Sequence, residues 1–482
     1  MPDELILGPI LGVDENKAMI WFKATPETPY CVKYAEKFSA SNAVNVKTGS
    51  DAICVCTLNN LKPNTEYDYV ITDSTGLRYC ANGRFATFPS SDQTIDFSFG
   101  FYSCHKPAEE GALKMWDRLS GICHGACHVG DPSSLRFLLP IGDQIYADEL
   151  DDGSGRPPTQ YLKEDEDSLT LHYESRYNFF WAQRSVRDVL SRCPVYMMWD
   201  DHEIRDGWGS RKNDLKDAQL LKVFKAAEEA FIRHQLIYNP FCPDPSAKKY
   251  YAFRFAQTGF IVLDLRSERN ANSREIMSPT QWAWFETQLN SLCVRCKAVF
   301  VVTTVPFYHP VRGFAKAIID LKNLISKDEL EDSWGSKQWQ NEGIRFAKTM
   351  FDAMGSPGHQ AKLFILGGDA HIATCAEIRL GTDMQSLIIP QFTSSAISNA
   401  APPVVKRVHG NIQNPSWKAI YDHQQYEGRI PHLIAARNFG IVRITNQANG
   451  MTNVRYDLQH ENSDAHVILY DGKMILPPVV IV

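Results

Sequence analysis

The sequence predicts a small β-sandwich over residues 1–91, followed by an α/β unit over residues 92–482 that ends in a C-terminal β extension. Three observations predict this. At 482 residues the chain is too long for one ordinary core, and 44% hydrophobic residues supply enough apolar material for sizeable cores. Up to residue 88, short β-rich runs are separated by turn residues. From Ile95 onward, apolar strand-like runs alternate with helical patterns, which implies helices covering sheets.

In the first part, runs at 18–22, 53–58 and 67–71 read as strands. The segment LKPNTEYDYVI (61–71) resembles the corner of a fibronectin type III or immunoglobulin-like sandwich, where a Tyr hydroxyl bonds back to the backbone. RFATFPSSDQT (84–94) reads as a last strand and a polar linker, which puts the boundary near Ser91. Runs at 97–102, 135–141 and 195–199 read as buried strands. Residues 173–190 and 215–237 read as helices, the second with Leu220, Val223, Phe224, Ala227 and Phe231 on its apolar face. A hairpin is expected around Gln257-Thr258-Gly259. Ser278-Pro279 fits the N-cap and first position of a helix. Further strands are expected at 298–305, 362–366, 373–379 and 385–390. Residues 307–340 read as an irregular insertion, and the tail from 437 returns to β patterning.

A net charge of -6 argues against non-specific nucleic-acid binding, which requires a basic face. Nucleic acid is therefore expected only as a diester substrate. The N-terminus MPDELILGPILG has no basic flank or long apolar run, and no stretch of about 20 apolar residues would span a bilayer. A cytoplasmic protein is expected, although a mature secreted form would read the same. The 12 cysteines are too dispersed for a disulfide scaffold and suit a reducing compartment.

The chemistry is concentrated where apolar strands stop. FSFGFYSCH ends at Cys104 and His105, RFLLPIGDQIY at Asp143 and Tyr146, VYMMWDDHE at Asp200, Asp201, His202 and Glu203, and KLFILGGDAH at Asp369 and His371. In α/β sheets, ligand sites form beyond the carboxyl ends of strands. So many acids around one crevice would repel one another, and metal ions resolve that conflict. Carboxylates suit hard cations, whereas His, phenolate and thiolate suit iron or zinc. A two-metal site with an activated water fits phosphoester hydrolysis, and no GxSxG nucleophile elbow is present. Taken singly, Asp143 reads equally well as a turn cap, and GDAH is no sharper.

The ordered set GDQIY, WDDHEIRDGWGS and GGDAH, preceded by a strand-end Cys, resembles the motif series of the alkaline phosphatase D family of calcineurin-like metallophosphoesterases. FIVLDLRSERN (260–270) resembles a family segment as well, and the likeness runs from about residue 97 to 398. It implies a layered αββα sandwich behind the N-terminal domain. It implies Cys104, Tyr146 and His371 as ligands of a ferric iron, with Asp143 bridging to a divalent ion, calcium by family likeness. Asp201 and Asp369 would hold that ion. Zinc and manganese remain alternatives, as does which of Asp200, Asp201 and Asp206 touches metal. The catalytic assignments are Asp143, His202 as phosphate contact or proton donor, and Arg266 as phosphate clamp or, equally, a salt-bridge partner of Asp264 or another acid. The expected substrate is a small phosphomonoester or phosphodiester.

Rival readings are a purple-acid-phosphatase-like enzyme and an inactive scaffold. The first would place an Asp near Cys104 and a His in place of Asp369; the second would bind no metal. CHGACH (123–128) departs from C-x-x-C-H spacing, and Cys293 and Cys296 lack a second C-x-x-C, so neither reads as a metal site. His309 reads as a loop residue, and Trp282, Trp284, Trp334 and Trp339 as packing residues.

Overall fold

The computed structural model describes residues 5–37, 39–148, 159–308, 332–381, 387–400, 416–421, 424–448, 450–470 and 479–480. His309 and most of the expected insertion lie outside the described residues.

The N-terminal strands are β1 (Leu7–Val13), β2 (Ala18–Lys23), β3 (Pro29–Glu36), β4 (Asn42–Lys47), β5 (Ile53–Leu58), β6 (Glu66–Asp73) and β7 (Tyr79–Ala86). They form sheets ordered β1-β2-β5 and β4-β3-β6-β7 around Phe22, Tyr30, Val32, Tyr69 and Phe85. The corner Tyr behaves as expected, with the Tyr67 hydroxyl accepting the Lys62 N–H at 2.9 Å. The sandwich is fused to the α/β part of the chain. Val195 N–H donates to Leu11 O at 2.9 Å, the Trp21 indole donates to Arg233 O at 2.9 Å, and Phe88 packs on Phe255 with centroids 4.7 Å apart.

The α/β part comprises β8 (Phe97–Tyr102), α1 (Lys114–Cys123), β9 (Leu135–Pro140), α2 (Glu166–Trp181), α3 (Arg184–Arg192), α4 (Ala218–Phe231), β10 (Tyr251–Phe255), β11 (Thr258–Val262), α5 (Pro279–Arg295) and β12 (Ala298–Thr303). It continues with α6 (Gln340–Met354), β13 (Lys362–Gly367), β14 (Ala373–Leu380), β15 (Leu387–Thr393), β16 (Ser416–Tyr421), β17 (Gln424–Ile434), β18 (Asn438–Asn446), β19 (Thr452–His460), β20 (Ser463–Tyr470) and β21 (Val479–Val480). One sheet runs β10-β11-β12-β13-β15-β14-β17-β16, the other β21-β20-β19-β18-β8-β9. Strands β11, β12, β13 and β15 are mutually parallel, as are β8 and β9. The tail does not hang off the edge, because β18 pairs directly with β8.

Strand alternation builds the layers. Phe260, Phe300, Val302, Phe364 and Leu366 face the inter-sheet core, where Phe99 packs against Phe260 at 5.1 Å and Phe300 at 5.3 Å. Their neighbours Ile261, Val299, Val301, Leu363 and Ile365 face outward onto Trp282, Phe285 and Leu289 of α5 and Phe346 and Met350 of α6. On the far side, Trp116 of α1 packs on Tyr102 at 5.0 Å. The result is the expected αββα sandwich.

Two local expectations change. The helix expected over 173–190 is two helices, broken where Gln183 turns extended (ψ 132°). With no Gly or Pro at the break, the apolar pattern runs through it. The strand expected over 195–199 forms only isolated bridges, Val195 with Leu138 and Met198 with Ile141. The helix after Asp217 ends in a π turn, Ile232–Leu236. Ser278 caps α5 as expected, accepting the Gln281 N–H at 3.2 Å.

Candidate metal centre

The site forms where the two sheets present the carboxyl ends of β8 and β9 on one side and β13 and β15 on the other. After β8 the chain enters Ser103-Cys104; after β9, Gly142-Asp143; after β13, Gly368-Asp369; after β15, residues 394–399. The layers are tied together at this edge by Ile397 N–H to Ser103 O (2.9 Å), and Gly368 N–H to Thr304 O (2.7 Å) carries the β12–β13 pairing into the site. Both glycines are demanded by closeness. A Cβ on Gly142 would lie 2.7 Å from the Asp200 Cβ, and one on Gly368 would lie 2.7 Å from Ile141 O. The backbone is turned into the left-handed region at Cys104 (φ 59°), Asp143 (φ 54°), Asp369 (φ 53°) and His371 (φ 49°). Four such residues in one site mark stored strain of the kind found at functional centres.

The side chains converge. Carboxylate oxygens of Asp143, Asp200, Asp201 and Asp369 lie within 4.8 Å of one another, and ligand atoms of Asp143, Asp201 and His202 do likewise. Cys104 Sγ lies 3.2 Å from Asp143 Oδ2, and the Tyr146 hydroxyl lies 3.4 Å from the same oxygen. The Asn399 amide donates to the Tyr146 hydroxyl at 3.1 Å and lies 3.4 Å from His371 Nε2, so His371 closes the same ring of groups. Asp206 stands apart, half-exposed and 3.3 Å from Arg211.

Burial holds the carboxyls of Asp143 and Asp369 well above the usual range. Asp200 and Asp201 push both the same way. Burial, then Asp143 and Asp369, raises the Cys104 thiol; burial, then Cys104 and Asp143, raises the Tyr146 phenol. Asp200 is raised to about 6 by burial, against the pull of Arg266. His202 runs the other way. Burial alone would lower it, but Asp148, Asp201 and Asp143 together raise it well above its ordinary value.

Among the described residues, Asp143 Oδ1, Asp200 Oδ2 and Asp201 Oδ1 are buried and accept no hydrogen bond. Clustered buried carboxylates with oxygens left unbonded, beside a thiol, a phenol and an imidazole, are a donor set that fits bound cations.

Of the two roles expected for Arg266, the structure shows the salt bridge to nearby acids. Arg266 has no exposed side-chain surface, and its guanidinium faces Asp200, Asp201 (3.4 Å) and Asp332 (2.5 Å) and donates to Trp208 O (3.2 Å). Asp264 meets Arg266 only through the backbone, accepting its N–H at 3.0 Å. Three acids therefore claim the charge that a phosphate would need.

Several supporting residues escaped sequence reasoning. Glu203 accepts the N–H groups of Asp143 (3.0 Å), Gln144 (2.7 Å) and Asp200 (2.8 Å), binding two ligand loops to one carboxylate. Its position three residues after Asp200 is the spacing of a capping box, a signal available in the sequence. Asp148 accepts from His202 Nδ1 at 2.8 Å and from the Asp206 N–H at 2.6 Å. Asp148, Asp332, Ser395 and Asn399 lie far from the motifs or outside them, and carry no sequence signal.

Elsewhere the bland readings hold. Trp282, Trp334 and Trp339 are buried in packing. His124 and His128 face Asp188 and Glu66 at the surface, while Cys123 and Cys127 are buried. No ligand cluster involves them or Cys293 and Cys296 among the described residues. No helix among those residues is long and apolar enough to cross a membrane.

The chain matches the model of the PhoD-like phosphatase family over residues 99–454. A solved structure of PhoD aligns over 99% of this chain and 92% of its own, with TM-score 0.69 at 15% identity. The purple acid phosphatase PPD1 of yellow lupin (Lupinus luteus) seeds aligns over 96% of this chain and 74% of its own, with TM-score 0.57 at 12% identity. None of the curated proteins compared with the chain matches it. With these strands and this acidic crevice, the chain belongs to the PhoD-like phosphatase family.

Proposed function

We propose that this chain is a phosphoester hydrolase of the alkaline phosphatase D type, acting on small phosphomonoesters, phosphodiesters or both. The observation that carries the reading is the convergence of Asp143, Asp200, Asp201 and Asp369, whose carboxylate oxygens lie within 4.8 Å of one another, with buried oxygens of Asp143 and Asp200 that accept no hydrogen bond.

Cys104, Tyr146, Asp143 and His371 would hold a ferric iron. Asp143, Asp201 and Asp369 would hold a divalent ion, taken to be calcium. Bound there, the two cations would lower the pKa of a water and offset charge on the phosphoryl oxygens. The protein's own contribution is placement. Glu203 fixes the Asp143 and Asp200 loops by their N–H groups, and Asn399 orients the Tyr146 hydroxyl. Asp148 accepts a hydrogen bond from His202 Nδ1 and holds the imidazole 4.2 Å from the Tyr146 ring. With Asp148 holding its ring and raising its basicity, His202 at the edge of the cluster is suited to donate a proton to a leaving oxygen.

The test is hydrolysis of a chromogenic phosphomonoester and a phosphodiester, with and without added calcium, by the wild type and Asp143→Ala. Turnover that needs a divalent ion and vanishes in the variant supports the reading. A fully active Asp143→Ala protein would remove Asp143 from the centre.

A further inference from the structure

Arg266 and a divalent ion would draw on the same carboxylates. Its guanidinium faces Asp200 and Asp201, and both belong to the group of converging oxygens. Its third acid, Asp332, does not belong to that group and arrives from a different part of the chain, just ahead of α6. Asp332 is itself held firmly. Ser210 Oγ donates to it, and Arg269 pairs with it at 2.9 Å. Arg269 is in turn fixed by its bond to Ser210 Oγ at 3.0 Å and by the Trp339 ring, 4.4 Å from its charge. Gln338 closes the wall by donating to Ser210 O at 3.2 Å. Arg266 and Asp332 are both almost wholly buried, so water screens neither.

We propose that Asp332 is a positioning residue for the metal centre: by holding the Arg266 guanidinium from behind, it limits that residue's grip on Asp201 and its neighbour Asp200 and so leaves Asp201 able to take a divalent ion. The inference rests on the metal-centre reading above. Without the Asp332 charge, the guanidinium would be drawn wholly onto Asp200 and Asp201, and an incoming cation would have to displace a stronger ion pair. A merely structural Asp332 would anchor the wall without touching metal affinity.

The experiment is calorimetric titration of calcium into the full chain after dialysis against a chelator, for wild type, Asp332→Asn and Asp332→Glu, with thermal denaturation alongside. The expected result is calcium binding weakened about tenfold or more in Asp332→Asn, with Asp332→Glu within about threefold of wild type. A folded Asp332→Asn protein with wild-type calcium affinity and a lowered Tm would overturn the inference. If Asp332→Asn does not fold, Ser210→Ala carries the test, because it loosens Asp332 while leaving every charge in place. Weakened calcium binding there supports the inference, and unchanged binding overturns it. A wild type that binds neither calcium nor manganese would overturn the metal-centre reading itself, an outcome distinct from a failure confined to the Asp332 variants.

Discussion

Glu203 binds two ligand loops together, and its removal has a calculable cost. One carboxylate oxygen accepts the N–H groups of Asp143 (3.0 Å) and Asp200 (2.8 Å), the other those of Gln144 (2.7 Å) and the Gln235 side chain (3.1 Å). A glutamine there keeps one acceptor oxygen. Its best orientation leaves that oxygen on Asp143 and Asp200 and turns its NH2 toward Gln144 and Gln235. The Gln235 amide can flip, so a single buried backbone N–H is orphaned, costing about 1–3 kcal/mol. Glu203→Ala orphans three backbone N–H groups, for roughly three times that cost, and releases both loops. Scanning fluorimetry and elemental analysis should therefore show a modest fall in Tm with metal retained for Glu203→Gln. Glu203→Ala should show a larger fall, loss of bound metal, and a rate reduced by about 100-fold or more through misplaced ligands. An alanine variant with wild-type Tm and metal content, or a glutamine variant worse than alanine, would refute the reasoning.

Three further outcomes are expected. Cys104→Ser should lower iron content and remove the visible charge-transfer band of a thiolate-ligated and phenolate-ligated ferric site; an unchanged spectrum would exclude Cys104 as a ligand. His202→Asn should reduce kcat by about 100-fold or more while metal content stays near wild type, whereas equal loss of metal would make it a ligand. His234 is lowered to about 3 by burial, with its Nδ1 donating to Ala230 O at 2.8 Å. Above pH 6.5 the ring is neutral in both folded and unfolded chains. Below that, only the unfolded chain takes the proton, so stability falls by up to about 1.4 kcal/mol per pH unit as pH drops toward 3. Acid denaturation of His234→Gln should begin at lower pH than that of wild type, and identical midpoints would contradict this.

The layered fold was legible because β11, β12 and β13 are near-continuous apolar runs, as strands covered on both faces must be: inward Phe260, Phe300 and Phe364 and outward Ile261, Val301 and Ile365 are all apolar. The crevice was legible because Cys104, Asp143 and Asp369 come within three residues of the ends of the apolar runs β8, β9 and β13. Arg266 was read less well: sequence shows a cation near acids but not which of them it will meet, and Asp332 is 66 residues away. The helix break at Gln183 escaped for a related reason. Trp181 on one side and Val186 on the other are both buried, so the apolar pattern continues across a turn that tertiary packing imposes. Glu203 lay inside a recognised motif, and its spacing from Asp200 signals a bond to the Asp200 N–H; its bonds to the N–H groups of Asp143 and Gln144, 60 and 59 residues away, carry no residue signature.

Elemental analysis of the purified chain tests the metal centre most directly. About one equivalent of iron is expected, together with a divalent ion that chelation removes and calcium restores. A folded chain that holds no metal, before or after reconstitution, would contradict the dinuclear centre.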